Sequence, residues 1–269
     1  MNEEDARIPP AVRAVLPAIA RVVEETVTRW QRGGHLLYFG AGTRGRLGVL
    51  DASECPPPFS SPPDLVQGFI AGGDRALRRS VEAAEDNPQS GADDVANAGV
   101  SESDVVVGIA ASGTTPYVIG AVQEARRRGA FTACIACSPG SPLGAAVDQP
   151  IEVAVGPEVV TGSTRLKAGT AQKFILNMLT TASMIRSGKV YGNLMVDLRA
   201  SNAKLRRRAQ RIVATVTGLP EAETVPYLDA TGYRAKPAIL MALAGCTAEE
   251  ADARLTAANG FLRAALRRD

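Results

Sequence analysis

Short, nearly continuous apolar runs alternate with longer amphipathic stretches along this chain. Val12, Val15, Leu16, Ile19, Val22 and Val23 recur at helical spacing, which predicts one amphipathic helix from about Pro10 to Trp30, stopped by Gly33-Gly34. His35 to Phe39 then reads as a buried strand. Leu65 to Ala71, Asp104 to Ala110, Phe131 to Ala136 and Ile151 to Val155 read the same way. Helices are expected near Asp74 to Asp86 and over Thr115 to Arg128. Strands that are apolar at almost every position are buried on both faces, as in a parallel sheet covered by helices. The expected class is therefore α/β: a doubly wound five-stranded parallel sheet flanked by helices.

Past the last strand the pattern becomes helical. Leu166 to Ser187 reads as one long helix, with Ala171, Ile175, Leu176, Leu179 and Met184 toward the core. A second helix is expected from Asn202 to Thr217, with Gly218 as its stop. Gly232, Pro237 and Gly245 punctuate three short helical segments near 220–230, 236–243 and 248–266. The expected division is a sheet domain over residues 1–218 and a small three-helix module over 219–269.

Composition narrows the partners. At 269 residues with 45% hydrophobic side chains, the chain can bury a large core. Net charge is +2, and aromatic residues make up 4%. Neither a polyanion-attracting field nor stacking platforms for single strands are on offer, so no nucleic-acid partner is expected. The runs Arg126-Arg127-Arg128 and Arg206-Arg207-Arg208 read as solvated helix surface. No apolar stretch is long enough to span a bilayer, and MNEEDARIPP lacks the basic-then-apolar order of a signal peptide. A cytoplasmic location without a membrane partner is expected. Cys134 and Cys137 form a C-x-x-C, but they straddle a strand end followed by loop rather than opening a helix, so redox chemistry is not expected. His35 is the only histidine, and no metal site is expected.

Candidate chemistry lies beyond the carboxyl ends of the strands, where open α/β sheets bind ligands. The first strand ends in Gly40-Ala41-Gly42-Thr43-Arg44, and the third in Ala111-Ser112-Gly113-Thr114-Thr115. Each loop opens a helix and offers N–H groups and hydroxyls of the kind that hold phosphate. Ser112, Thr114 and Thr115 could equally be helix caps. The first loop lacks the third glycine of a dinucleotide fingerprint, so no nicotinamide cofactor is expected. A third polar loop, Thr161-Gly162-Ser163-Thr164-Arg165-Leu166-Lys167, adds hydroxyls and cations. Candidate carboxylates complete the set. Glu54 precedes three prolines, and Glu82, Glu85 and Asp86 fall near the predicted carboxyl end of the 74–86 helix, where the helix dipole disfavours an acid. Such a placement suits proton transfer, and it suits a solvated helix end as well.

The runs GAGTRGRLGVLDASECPPPF (40–59), AGGDRALRRSVEAAEDNPQSGADD (71–94), VVVGIAASGTTPYVIGA (105–121) and the long segment 155–205 resemble the N-acetylmuramic acid 6-phosphate etherases. The C-terminal AILMALAGCTAEEADARL and GFLRAAL look like that family's small helical domain. The resemblance implies a sugar isomerase-type phosphosugar-binding catalytic domain over 1–218. It implies a lyase that removes D-lactate from C3 of the sugar by elimination and hydration, giving N-acetylglucosamine 6-phosphate. Glu54 matches the family's proton donor and Glu85 its base. Gly42, Thr43, Arg44, Ser112, Gly113, Thr114, Thr115, Ser163, Thr164 and Lys167 fall in its substrate and phosphate loops. A homodimer with no metal or organic cofactor is implied as well. The family reads GAGTSGRL and AASGRTPY where this chain has Arg44 and Thr114, so one loop gains a cation and the other loses one. Arg44 is expected to supply the displaced charge. Two other readings use the same domain type: a non-catalytic phosphosugar sensor like the glucokinase regulatory protein, and a phosphosugar isomerase. An isomerase needs a base at C2 but no acid for a lactyl leaving group, so the presence of both Glu54 and Glu85 favours the etherase.

Overall fold

The computed structural model describes residues 1–267. In chain order the helices and strands are α1 (Asn2–Asp5), α2 (Ile8–Ala14), α3 (Leu16–Trp30), β1 (Leu36–Gly40), α4 (Thr43–Glu54), α5 (Pro56–Phe59), β2 (Val66–Ile70), α6 (Asp74–Arg78), α7 (Pro88–Asn97), β3 (Val105–Ile109), α8 (Pro116–Arg127), β4 (Phe131–Ala136), α9 (Pro142–Ala145) and β5 (Gln149–Glu152). Then follow α10 (Lys167–Arg186), α11 (Ala203–Thr217), α12 (Val225–Ala230), α13 (Ala235–Ala244), α14 (Ala248–Ala257) and α15 (Leu262–Ala265). The chain forms two compact units. One comprises residues 1–53 and 63–183, the other residues 54–62 and those from Met184 on.

The first unit holds the sheet. Its strands run parallel in the order β2-β1-β3-β4-β5 among the described residues, in agreement with the doubly wound expectation. The order reverses between β1 and β3, and that gap is the topological switch point where such sheets bind ligands. β1 and β3 are buried at every residue, which is why they read as unbroken apolar runs. One sheet face, with Leu37, Phe39 and Val106, packs against Val95 of α7 and Tyr117, Val118, Ala121 and Val122 of α8. On the other face Tyr38 donates to the buried Asp51 of α4 at 3.1 Å. Asp51 also accepts from Asn177 at 2.8 Å and Thr180 at 3.2 Å, which ties α4 to α10.

Three expectations need correction here. The 10–30 helix is two helices, because Pro17 has no N–H to donate to the carbonyl of Arg13, and the chain breaks at Val15. The 74–86 helix ends at Arg78, and α7 follows, capped by the Asn87 side chain on the N–H groups of Gln89 and Ser90. The compact units do not part at residue 218. Ala209, Ile212 and Val213 of α11 are buried in one core with Ala238, Ile239 and Leu240 of α13. In that second unit Lys236 is buried, and its ammonium donates to Gly188 O, Asp197 Oδ2 and Gly260 O at 2.8–2.9 Å, joining three segments.

Candidate functional site

The loops that follow β1 and β3 flank the switch point. Gly42 has φ +53° and Gly113 φ +68°, both in the left-handed region. A side chain at Gly113 would also stand 2.3 Å from Ser141 Cβ. Ser141 is fixed in turn by Glu152, whose carboxylate accepts from Gly140 N, Ser141 N and Ser141 Oγ at 2.8–2.9 Å.

The hydroxyls of the β3 loop are not spent on capping. Thr115 is the N-cap of α8, yet its side chain makes no capping hydrogen bond. Ser112 Oγ and Thr114 Oγ1 pair with each other at 2.8 Å, and Thr114 N donates to Ser112 Oγ at 3.3 Å. Both residues are exposed. These hydroxyls therefore do not cap α8.

Glu85 lies in a cleft of about 350 Å³ that includes Gly42 and Arg46, a volume suited to a small ligand. It stands outside any helix, so the helix-dipole argument for its position does not hold. Two other contacts place it. Arg46 donates to the carbonyls of Ala76 (2.7 Å) and Leu77 (3.0 Å) at the carboxyl end of α6. The Glu85 carbonyl accepts from Tyr117 N at 3.0 Å, at the start of α8. Between these anchors Ala83 takes φ +60°, an unfavourable backbone for a residue with a Cβ.

Arg44 reaches across from the β1 loop and donates Nη2–H to Thr164 O at 3.0 Å. Its Nε–H is buried with no protein acceptor. Burial pulls its pKa below the ordinary arginine value, and the charges of Glu85 and Glu158 oppose that pull only in part. Arg44 thus lies within electrostatic reach of Glu85, and Thr164 shares its loop with Ser163.

Lys167 does not join this group as a free cation. Its side chain is 1% exposed, and its ammonium is taken by Glu4. The N-terminus of α10 is occupied too, because Glu158 accepts from Lys167 N at 2.9 Å and Ala168 N at 3.0 Å. Both partners are distant in sequence or set back in the loop, and spacing gave no sign of them. Glu54 is exposed at the end of α4. The segment after it is held within the second unit, by Arg199 N on Pro57 O (3.2 Å) and Ser60 Oγ on Asp197 O (2.5 Å). Among the described residues no group of three His, Cys, Asp or Glu side chains could hold a metal ion, and no helix is long and apolar enough to cross a membrane.

Comparison with known proteins places these loops in a recognised setting. Residues 18–126 match the family model of the glucokinase regulatory protein N-terminal SIS domain, and residues 81–182 match that of the SIS domain. The N-acetylmuramic acid 6-phosphate etherase of Cronobacter sakazakii is 56% identical over 98% of this chain and 89% of its own length. The enzyme of the same name from Rhizobium rhizogenes is 56% identical over 99% of this chain and 87% of its own. That from Aliivibrio fischeri is 54% identical over 99% and 89%. Among solved structures, a phosphoheptose isomerase from Francisella tularensis superposes with a TM-score of 0.55 at 21% identity, over 68% of this chain and 94% of that one. At that identity the likeness speaks for the fold alone.

Proposed function

The chain belongs to the N-acetylmuramic acid 6-phosphate etherase family, and from that premise we propose that it cleaves the D-lactyl ether of N-acetylmuramic acid 6-phosphate, giving D-lactate and N-acetylglucosamine 6-phosphate. The observation that carries the reading is Glu85, set in the cleft beside the Gly42 loop with Arg44 in electrostatic reach. Ring opening exposes a C1 aldehyde, which acidifies the proton on C2. Glu85 takes that proton, and the C2 electron pair forms a double bond to C3 as the C3–O bond breaks. Glu54 gives a proton to the departing lactyl oxygen. Water then adds across the double bond, hydroxyl to C3 and proton to C2.

Ser112, Gly113, Thr114, Thr115, Gly42 and Thr43 hold the phosphate between the two strand-end loops, with Ser163 and Thr164 beside them. Arg44 gives its Nε–H to the same anion and replaces the charge that position 114 lacks. The enzyme works in the cytoplasm as a homodimer, in recycling of cell-wall amino sugar. The regulatory-protein match over 18–126 keeps one second reading, a non-catalytic phosphosugar sensor.

One assay separates these. The protein is incubated with N-acetylmuramic acid 6-phosphate in D₂O, and D-lactate release and C2 deuteration are measured together. Phosphosugar binding without lactate would leave the sensor. C2 exchange without lactate would indicate isomerase-like chemistry. Glu85→Gln is expected to abolish both signals, and retained exchange would reject Glu85 as the base.

A further inference from the structure

The first turn of α10 is joined to three separate segments. Glu158 binds it to its own approach loop through Lys167 N and Ala168 N. Gly169 sits against Thr43, whose Cγ2 lies 3.9 Å from where a Cβ would stand, so the turn also abuts the β1 loop. Lys167 connects it to α1 through Glu4. Within the same approach loop, Thr164 O receives Arg44. In the Lys167–Glu4 contact the ammonium is enclosed, the Lys167 side chain being 1% exposed. Glu4 is Lys167's sole ion-pair partner among the described residues, and it also lies 3.5 Å from Arg7. The Lys167 hydrogen bond holds the Glu4 carboxyl below the usual carboxylate range. Ile8 and Val12 of α2 are buried directly after α1, which gives the pair a fixed footing.

A buried ammonium deprived of its counter-charge cannot stay as it is; it must move, or draw in water or another anion. Either response displaces the first turn of α10 and, with it, the 161–166 loop that meets Arg44. A direct phosphate contact by Lys167 is a poor fit, because its ammonium is enclosed and already committed.

We propose that Glu4, acting through Lys167, is a positioning residue for phosphosugar binding: the α1–α10 ion pair sets the 161–166 loop against Arg44, and Lys167 itself does not touch the substrate. This inference rests on the phosphate site assigned above, so its test includes a readout that does not need turnover.

Glu4→Gln, Lys167→Met and the double variant are compared with the parent protein. The readouts are kcat and KM for the phosphorylated amino sugar, Kd for inorganic phosphate by calorimetry, and hydrogen exchange over residues 1–7 by mass spectrometry. Each single variant is expected to raise KM and the phosphate Kd by about tenfold, with kcat changed much less, and to speed exchange over 1–7. The double variant should be no worse than the poorer single one, as for two halves of one interaction. A KM that rises in Lys167→Met but not in Glu4→Gln would mean that Lys167 binds the substrate, and would overturn the proposal. So would additive effects, or faster exchange with KM and Kd unchanged, which would reduce the pair to an anchor for α1. If Lys167→Met fails to fold, Glu4→Gln decides alone. If no lactate is released by any form, the etherase reading fails while phosphate Kd and exchange still judge the ion pair.

Discussion

Gly120→Ala tests how tightly the proposed base is held. α7 and α8 cross with almost no space between their backbones. A Cβ on Gly120 would lie 2.0 Å from Pro88 O, where real Cβ contacts are essentially never below 3.0 Å, so something must move by about 1 Å. α8 is the fixed partner, because Val118, Ala121, Val122 and Ala125 are wholly buried around Gly120. Pro88 is exposed at the start of α7, three residues beyond Glu85, so that end gives way. The displaced segment is the one whose Glu85 carbonyl is pinned to Tyr117 N at 3.0 Å. Moving a reacting group by about 1 Å can cost on the order of 10²-fold in rate, equivalent to about 2.7 kcal/mol of barrier. Overpacking itself costs about 1–3 kcal/mol of stability, which lowers the melting point without unfolding the protein. The assay is C2-proton exchange in D₂O alongside thermal melting. The expected result is a roughly hundredfold fall in kcat with KM little changed. A folded Gly120→Ala protein exchanging within twofold of the parent would show that Pro88 yields without carrying Glu85, and would refute the reasoning.

Three further outcomes follow from contacts already described. Arg44→Ser removes a charge-assisted donor and the link to Thr164, so KM for the phosphorylated sugar should rise about tenfold or more; an unchanged KM would remove Arg44 from the phosphate site. Asp51→Ala strips acceptors from Tyr38, Asn177 and Thr180, each unsatisfied donor costing about 1–3 kcal/mol, read as a melting point lower by roughly 10 °C; a shift of one or two degrees would contradict that role. Burial pushes the Cys134 and Cys137 thiols up to about 12. Because the thiol form is favoured until the pH reaches that value, alkylation at Cys134 and Cys137, read by peptide mass spectrometry of the native protein, should be negligible at pH 8 and climb about tenfold per pH unit above it. Fast labelling at pH 8 would show that these thiols are not enclosed.

The sheet was legible because its information is local. A strand buried on both faces must be apolar throughout, and β1, β3 and β4 announce themselves that way without help from the rest of the chain. The β1 and β3 loops were legible for a related reason, since glycine and hydroxyl residues at a strand end are a local pattern too. The failures share the opposite property. Ala76, Val81 and Ala84 look helical, yet α6 ends at Arg78, where Arg46 takes the carbonyls of Ala76 and Leu77. Nothing in the 74–86 window foretells a guanidinium placed some thirty residues earlier. Lys167 has the same history: its loop reads as an open cationic site until Glu4 is folded onto it. The break at Val15 and the start of α7 are different, because Pro17 and Asn87-Pro88 are local signals for them.

These cases bear on how the site works. Arg46, the residue that holds the end of α6, also lines the cleft with Glu85. If α6 continued, Glu85 would ride on a helix pointing along its axis rather than on a turn held by Tyr117 N. A helical Glu85 would move as one body with α6. A Glu85 on a pinned turn is placed by α8, the helix whose first residues also carry the β3 loop. The proposed base and the Ser112–Thr115 loop are therefore referenced to one rigid element, and a ligand held by that loop meets Glu85 at a separation that α8 sets. The contacts that sequence could not show, Arg46 on the α6 carbonyls and Tyr117 N on the Glu85 carbonyl, are thus the ones that position Glu85.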